Sequence, residues 1–375
     1  MSYSYIDSDS LFEQFRPQIS SSSILFLDTE FIRVSTYFPK LGLLQLHLND
    51  VDYLIDPVTI NQKKSVWDSL YSDEKLFVFH SCKEDLDVLQ VSAGRLPDKI
   101  FDTQVAAAFI GYGPSLGYAT LVEKICGISV DKDQTLTDWL ARPLSEKQKH
   151  YAARDVSYLP VLFEHLTEQL STQGKTDWFN EEMSSILESK SQEIILDDLY
   201  LEISGAWQLY PSELAVLQHL AKWRYLTAVK EDKPQNFVLR EEVLLELSRK
   251  RPQNERELAQ SEISPQQKNR YAASILQCIR DGMNCPTEQL PSRIKRMIDF
   301  PHYKHDFKQL KHKIEMIAKD HDLPVELLGS RKLINQYLLW IYEGKKADGE
   351  QPKLISGWRN LSDSAENLAV QGEDE

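Results

Sequence analysis

Cysteine is scarce: 4 in 375 residues, at positions 82, 126, 278 and 285. There is no C-x-x-C pair and no spacing suited to a zinc site, which excludes a disulfide-stapled scaffold and predicts reduced, partly buried thiols. Long apolar runs are missing as well. No stretch approaches the roughly 18 residues that span a bilayer, so neither a membrane segment nor a membrane partner is expected. The opening MSYSYIDSDS lacks the positive flank and apolar core of a secretory signal, which predicts a cytoplasmic protein. Positive charge is also in deficit. With 43 Lys and Arg against 57 Asp and Glu, the net charge is -14, a poor balance for gripping polyanions over a broad basic surface.

That deficit is uneven. Asn360 to Glu375 carries five acidic residues and no Lys or Arg, which reads as a frayed tail. Thr287 to Lys346 carries twelve Lys or Arg against eight Asp or Glu, a net of +4. Such an excess is either a solvated helix face or a contact for a polyanion.

At 375 residues the chain suits two or three domains. Residues 24–31, 41–48, 52–56 and 75–79 are short and strongly apolar, bounded by Gly, Asn, Asp or Pro, and predict strands. The first three follow too closely for helical crossovers and should form an antiparallel meander. Helical spacing then sets in, predicting helices over 83–92, 103–111, 117–126 and 146–170 around the fourth strand. This is a mixed α/β domain with a central sheet. From about residue 181 no strand is evident. Helices are predicted at 212–231, opened by a Ser cap, and at 240–250, 264–282, 307–320, 331–342 and 357–370. They fit two small bundles divided near 284–291, and the halves show a faint internal repeat.

The chemistry lies in acids at unlikely positions. In "ILFLDTEF", Asp28 and Glu30 end an apolar strand; at i and i+2 they share a face while Thr29 points the other way. Two adjacent anions are costly unless a cation neutralises them, and an oxygen-only pair suits Mg²⁺ or Mn²⁺. The plainer alternative is that the strand ends at Leu27 and both acids are solvated. Asp85 falls in the first turn of a helix, where the macrodipole favours a carboxylate. In "LSEKQKHYAARDVSYL", Ser145 and Gln148 form a capping-box pattern, so Tyr151 and Asp155 stand one turn apart on one helix face.

Asp28-x-Glu30, Asp85 and Tyr151-x-x-x-Asp155, in this order, resemble the three motifs of the DEDDy branch of 3′-to-5′ exonucleases. The longer stretches "LDTEFIRVSTYFPKLGLLQL", "HSCKEDLDVL", "FDTQVAAAF", "TDWLARPLS", "HYAARDVSYL", "AWQL", "NFVLREE" and "LISGWR" resemble the bacterial ribonuclease D family over essentially the whole chain. His150 stands five residues before Asp155, the spacing of the related branch that uses histidine. On a helix, i and i+4 are about 40° apart and i and i+5 about 140°, so Tyr151 shares the face of Asp155 and His150 turns away.

The resemblance implies a ribonuclease H-like mixed sheet with flanking helices followed by two all-α helical-bundle modules. Its division would be an exonuclease domain at 1–180 and HRDC modules at 205–288 and 292–375. It implies an exoribonuclease acting on RNA with a free 3′ end, notably tRNA precursors, and two divalent ions, Mg or Mn. Asp28 would bridge both ions, Glu30 and Asp155 would complete the site of the attacking water, Asp85 would support the second ion and Tyr151 would orient the water. Four carboxylates and two such ions balance in charge, which lets the site accept a phosphate. Trp139 and Arg142 are candidates for stacking on a base and contacting a phosphate, with packing as the alternative for Trp139. Gln45 and His80 lie near the motifs, Phe31 is assigned to the core, and Asp102 receives no catalytic role. The competing functions are a DNA 3′-to-5′ exonuclease, built on the same metal centre, and a non-catalytic nucleic-acid-binding protein.

Overall fold

Short apolar segments build a six-stranded mixed sheet. The computed structural model describes residues 3–72, 74–130, 137–344 and 351–360. In chain order the sheet unit runs β1 (Tyr3–Ile6), α1 (Asp9–Ser21), β2 (Ile24–Ile32), β3 (Lys40–Leu48), β4 (Val51–Ile55), α2 (Lys63–Leu70) and β5 (Leu76–Phe79). It continues through α3 (Lys83–Ala93), β6 (Lys99–Asp102), α4 (Thr103–Phe109), α5 (Tyr118–Cys126), α6 (Glu146–Ser157), α7 (Leu159–Thr172) and α8 (Thr176–Ser191). Strand order is β1-β4-β3-β2-β5-β6. The expected meander β2-β3-β4 is antiparallel. β5 and β6 add in parallel beside β2; the chain reaches β5 from β2 through β3, β4 and α2, and α3 supplies the crossover from β5 to β6.

The core lies where Leu25 and Leu27 of β2, Leu43, Leu44 and Leu46 of β3 and Phe77 and Phe79 of β5 meet the surrounding helices. Both faces of the sheet are covered, which is why its strands read as apolar runs rather than strict alternation. β1 and β6 escaped the sequence reading because each has four residues and acquires strand geometry only by pairing, β1 with β4 and β6 with β5. α1, α2 and α8 were likewise not anticipated.

The capping box at Ser145 is present: Ser145 Oγ accepts the Gln148 N–H at 3.2 Å and Gln148 Oε1 accepts the Ser145 N–H at 3.0 Å. The helix expected over 146–170 is broken at Tyr158. Pro160, which has no N–H to continue an i to i−4 ladder, sits in the first turn of the new helix α7.

The second unit comprises 33–38 and 193–299. Its helices are α9 (Pro211–Glu231), α10 (Gln235–Val238), α11 (Glu241–Lys250), α12 (Glu255–Leu258) and α13 (Pro265–Met283). Leu214, Leu217 and Leu220 of α9 pack with Leu244 and Leu247 of α11 and Ile275 and Ile279 of α13. α9 starts one residue before the expected Ser212 cap, with Pro211 in its first turn and Glu213 Oε2 accepting the Tyr210 N–H at 2.9 Å. α13 approaches α9 so closely at Gly282 that a Cβ there would lie 2.5 Å from Val216 Cα. The segment 33–38 is tied to the end of α9, where Asp232 Oδ1 accepts the Phe38 N–H at 3.0 Å.

α14 (Tyr303–Asp320), α15 (Val325–Leu328) and α16 (Arg331–Tyr342) belong to the same compact unit as the sheet. Trp358 packs against Phe109 with ring centroids 4.9 Å apart and donates its indole N–H to Glu182 at 2.9 Å. Buried Lys175 donates to the carbonyls of Phe109 at 2.7 Å and Asp322 at 3.1 Å. Of the helix expected over 357–370, residues Gly357–Arg359 form a 3₁₀ turn and 361–370 lie outside the described residues. Lys345, Lys346 and the acidic residues from 363 also lie outside them. Among the described residues no helix is long and apolar enough to cross a membrane.

Candidate active site

The strand does not end at Leu27: β2 continues to Ile32, so Asp28 and Glu30 are both strand residues on one face. α6 lies across β2, β3 and β4. Ala152 and Ala153 of α6 pack with Leu43, Leu54, Trp139 and Leu144, with Tyr151 at the edge of the cluster, which leaves Asp155 beside the two strand acids. One carboxylate oxygen from each of Asp28, Glu30 and Asp155 can be chosen so that all lie within 4.8 Å of one another.

Asp85, in the first turn of α3, stands outside that close triad but within its electrostatic reach. It is buried, and its Oδ1 accepts the Thr29 hydroxyl at 2.5 Å. Thr29, the residue between the two strand acids, therefore anchors the fourth acid from the opposite face of β2. Sequence reasoning left it without a role; the only signal was its position between two acids.

The electrostatics record the cost of the assembly. Burial, followed by the charges of Asp85, Asp155 and Glu30, raises the Asp28 carboxyl well above its ordinary range. Burial and then Asp155 and Asp85 push Glu30 up to about 9. Burial pushes Asp155 up to about 7, against a hydrogen bond from Tyr151 that holds it down. Asp85 is raised to about 6 by burial, with the Thr29 bond opposing. Four acids that resist joint ionisation demand positive charge, and a donor set made only of carboxylate oxygens fits a hard divalent cation. Asp28, Glu30 and Asp155 are the residues that could hold one.

Tyr151 faces this cluster. Its hydroxyl bonds Asp155, and burial, then Asp155, Glu30 and Asp28, raise its pKa, so it is a neutral donor. His150 is exposed and meets the Tyr3 ring edge-on at 5.3 Å. Tyr118 was missed by the sequence reading: its hydroxyl donates to the Arg154 carbonyl at 2.8 Å and accepts the Tyr158 N–H at 3.2 Å, pinning the end of α6 next to Asp155.

Trp139 and Arg142 are not placed for substrate. Trp139 is 3% exposed, packed in the core beneath α6. Its backbone lies so close to β3 that a Cβ on Gly42 would stand 2.6 Å from the Trp139 carbonyl oxygen. The Arg142 guanidinium is consumed internally, by Asp56 at 2.5 and 2.6 Å and by the Gly42 carbonyl at 2.6 Å. Asp56 is fully buried and also accepts the Tyr5 hydroxyl. Arg142 thus neutralises a buried acid and fastens the loop leading into α6; the sequence could not show this because Asp56 is 86 residues away.

The remaining candidates are structural neighbours. Asp102 caps α4 by accepting the Gln104 and Val105 N–H groups and also takes those of Ser81 and Cys82, fixing the approach to α3. His80 Nδ1 lies 2.9 Å from Thr103 Oγ1. Gln45 is buried opposite Asp28 in the β2–β3 register, its amide without a hydrogen-bond partner among the described residues.

Comparison with known proteins gives a consistent set of matches. A family model described as 3′-5′ exonuclease matches residues 3–171, one described as HRDC domain matches 213–279, and one described as ribonuclease D, C-terminal HRDC domain, matches 301–363. Ribonuclease D of Escherichia coli (strain K12) is 35% identical over 373 residues, covering 98% of each chain. Ribonuclease D of Cronobacter turicensis is 38% identical over 336 residues, covering 89% of this chain and 90% of its own. The crystal structure of Escherichia coli RNase D, described as an exoribonuclease involved in structured RNA processing, matches with a TM-score of 0.91 at 34% identity, covering 98% of both chains. A Bifidobacterium adolescentis protein at 22% identity shares the fold, with a TM-score of 0.66 over 92% of this chain and 90% of its own.

Proposed function

Because the chain belongs to the ribonuclease D family, and is thereby a 3′-to-5′ exoribonuclease acting on RNA, we propose that it trims the 3′ ends of tRNA precursors and other structured RNAs, releasing 5′-mononucleotides. The fold implies dependence on divalent metal. Two ions, Mg²⁺ or Mn²⁺, are the proposed complement, since four carboxylates carry a formal charge that two such ions balance. The proposed division is a catalytic domain over 1–180 with helical modules over 205–288 and 292–375.

The observation that carries this reading is the convergence of Asp28, Glu30 and Asp155 within 4.8 Å, with the Tyr151 hydroxyl on Asp155. Divalent ions, when bound, supply Lewis acidity and stabilise charge on the phosphoryl oxygens. Asp28, Glu30 and Asp155 would hold them, and Asp85, fixed by Thr29, would complete the set from α3. Tyr151, kept protonated, orients the attacking water by its hydroxyl rather than taking a proton from it. Water adds to the terminal phosphorus as the bond to the preceding 3′ oxygen breaks, leaving a shortened RNA with a free 3′-hydroxyl and one nucleoside 5′-monophosphate. The four free cysteines suit a reducing compartment such as the cytoplasm.

The test is incubation of a 5′-labelled tRNA bearing a short 3′ extension with Mg²⁺ or Mn²⁺, with EDTA and Asp28→Ala as controls. Stepwise shortening that both controls abolish is expected. Internal cuts, or trimming indifferent to EDTA, overturn the assignment.

A further inference from the structure

The second unit holds a groove of about 450 Å³ with no role in the proposed hydrolysis. One wall is the segment 33–38, which follows the strand carrying Glu30; the other is the end of α9 with α10 and the start of α11. Its principal side chains are Arg33, Tyr37, Arg224, Asn236, Phe237 and Glu241.

Arg224 is 6% exposed. For so buried a cation it is poorly satisfied: Nη1 reaches the Leu239 carbonyl at 3.3 Å, Nη2 stands 3.8 Å from Glu241, and Nε has no hydrogen-bond partner among the described residues. A guanidinium has five N–H donors, and a buried one with long contacts gains from an added anion. Phe237, at the rim, leaves 58% of its surface in water and lines the groove with an aromatic ring. Tyr37 is held edge-on by Phe38 at 5.0 Å and Tyr225 at 5.8 Å, which makes the facing wall rigid. Arg33 is exposed at the mouth, its Nε donating to the Tyr37 carbonyl at 3.1 Å. The groove thus combines a buried cation, a second cation at the rim, an aromatic face and one carboxylate acceptor.

We propose that this groove binds one nucleotide of single-stranded RNA, its phosphate on Arg224 and Arg33, its base against Phe237 and its ribose hydroxyl donating to Glu241. The assignment rests on the RNA-processing reading and adds a place where the body of the substrate is held. Arginine with an aromatic face is the combination that grips a nucleotide without reading its sequence. A carboxylate can accept from a 2′-hydroxyl, which a deoxyribose lacks.

The test uses the full chain in EDTA, so that hydrolysis plays no part, with a fluorescent oligoadenylate read by anisotropy and a matched deoxy strand beside it. Phe237→Ala and Arg33→Ala remove exposed side chains, and thermal melting verifies that both variants fold. Each is expected to weaken RNA binding about five- to tenfold, and the double variant more. The deoxy strand should bind more weakly than RNA. A 4-thiouridine strand should cross-link to 33–38 or 235–238. A double variant with the parent's RNA affinity, a parent indifferent to the ribose hydroxyl, or cross-links confined elsewhere would overturn the site. Failure of the trimming reading is seen separately, as absent shortening with metal, while the EDTA binding result stands by itself.

Discussion

The Thr29 hydroxyl donates to Asp85 Oδ1 at 2.5 Å, joining the strand that carries Asp28 and Glu30 to the helix that carries the fourth acid. Thr29 points away from its neighbours' carboxylates yet fixes the position of Asp85, whose charge raises the pKa of both. Because it stabilises the ionised form, it holds the Asp85 pKa down against burial.

Thr29→Val, nearly isosteric, removes that bond and leaves the buried carboxylate with backbone N–H donors only. Hydrogen bonds to charged groups contribute about 1.5–3 kcal/mol, so divalent-ion affinity should fall about tenfold or more. The Asp85 pKa should rise above about 6, moving the acid limb of the pH–rate profile upward. Mn²⁺ titration calorimetry and a pH profile measure the two effects; unchanged values in both contradict the anchoring role.

The cluster also sets a stability dependence on pH. Asp85, Asp155 and Glu30 have folded-state values raised to about 6, 7 and 9. The folded state therefore binds more protons than the unfolded chain from near the ordinary carboxylate range up to about pH 9, and stability falls as pH rises through that window. In EDTA the melting temperature should drop by several degrees between about pH 5.5 and 9. Asp28→Asn should recover part of the loss at pH 8, and saturating Mn²⁺ should abolish it. A melting temperature that climbs across that interval in EDTA would refute the sign.

Arg142→Met leaves Asp56 buried and uncompensated. Breaking such a pair costs about 3–5 kcal/mol, so urea unfolding should shift by that order, with turnover lost through disorder at the start of α6. A variant of normal stability whose only defect is a raised KM for RNA would restore Arg142 to the substrate.

Tyr151→Phe should lower turnover about tenfold to a hundredfold while leaving Mn²⁺ affinity near the parent's, because in the proposed mechanism the phenol orients water and is not a metal ligand. Asp155→Asn should reduce both. Equal and complete loss of metal from both variants contradicts this division.

Local periodicity made much of the frame legible. Two-residue spacing in "DTE" put Asp28 and Glu30 on one face, and four-residue spacing behind a capping box put Tyr151 with Asp155 and turned His150 out to Tyr3. The meander followed from connections too short for crossovers. These inferences needed only the geometry of a single strand or helix.

What the chain order could not convey was which distant group each polar side chain would meet. Arg142 looked like a phosphate ligand until folding brought Asp56 to it, and Trp139 looked like a stacking surface until Gly42 admitted its backbone against β3. Thr29 and Tyr118 gained roles only from α3 and the end of α6. β1 and β6 became strands only when neighbours supplied hydrogen-bonding partners. Sequence determined the central meander, the longer helices and the faces on which the acids stand, since those depend on backbone periodicity and connection length. Tertiary structure decided which charges are neutralised inside the protein and which stay poised for a cation, because burial and pairing arise only when segments far apart in the chain meet.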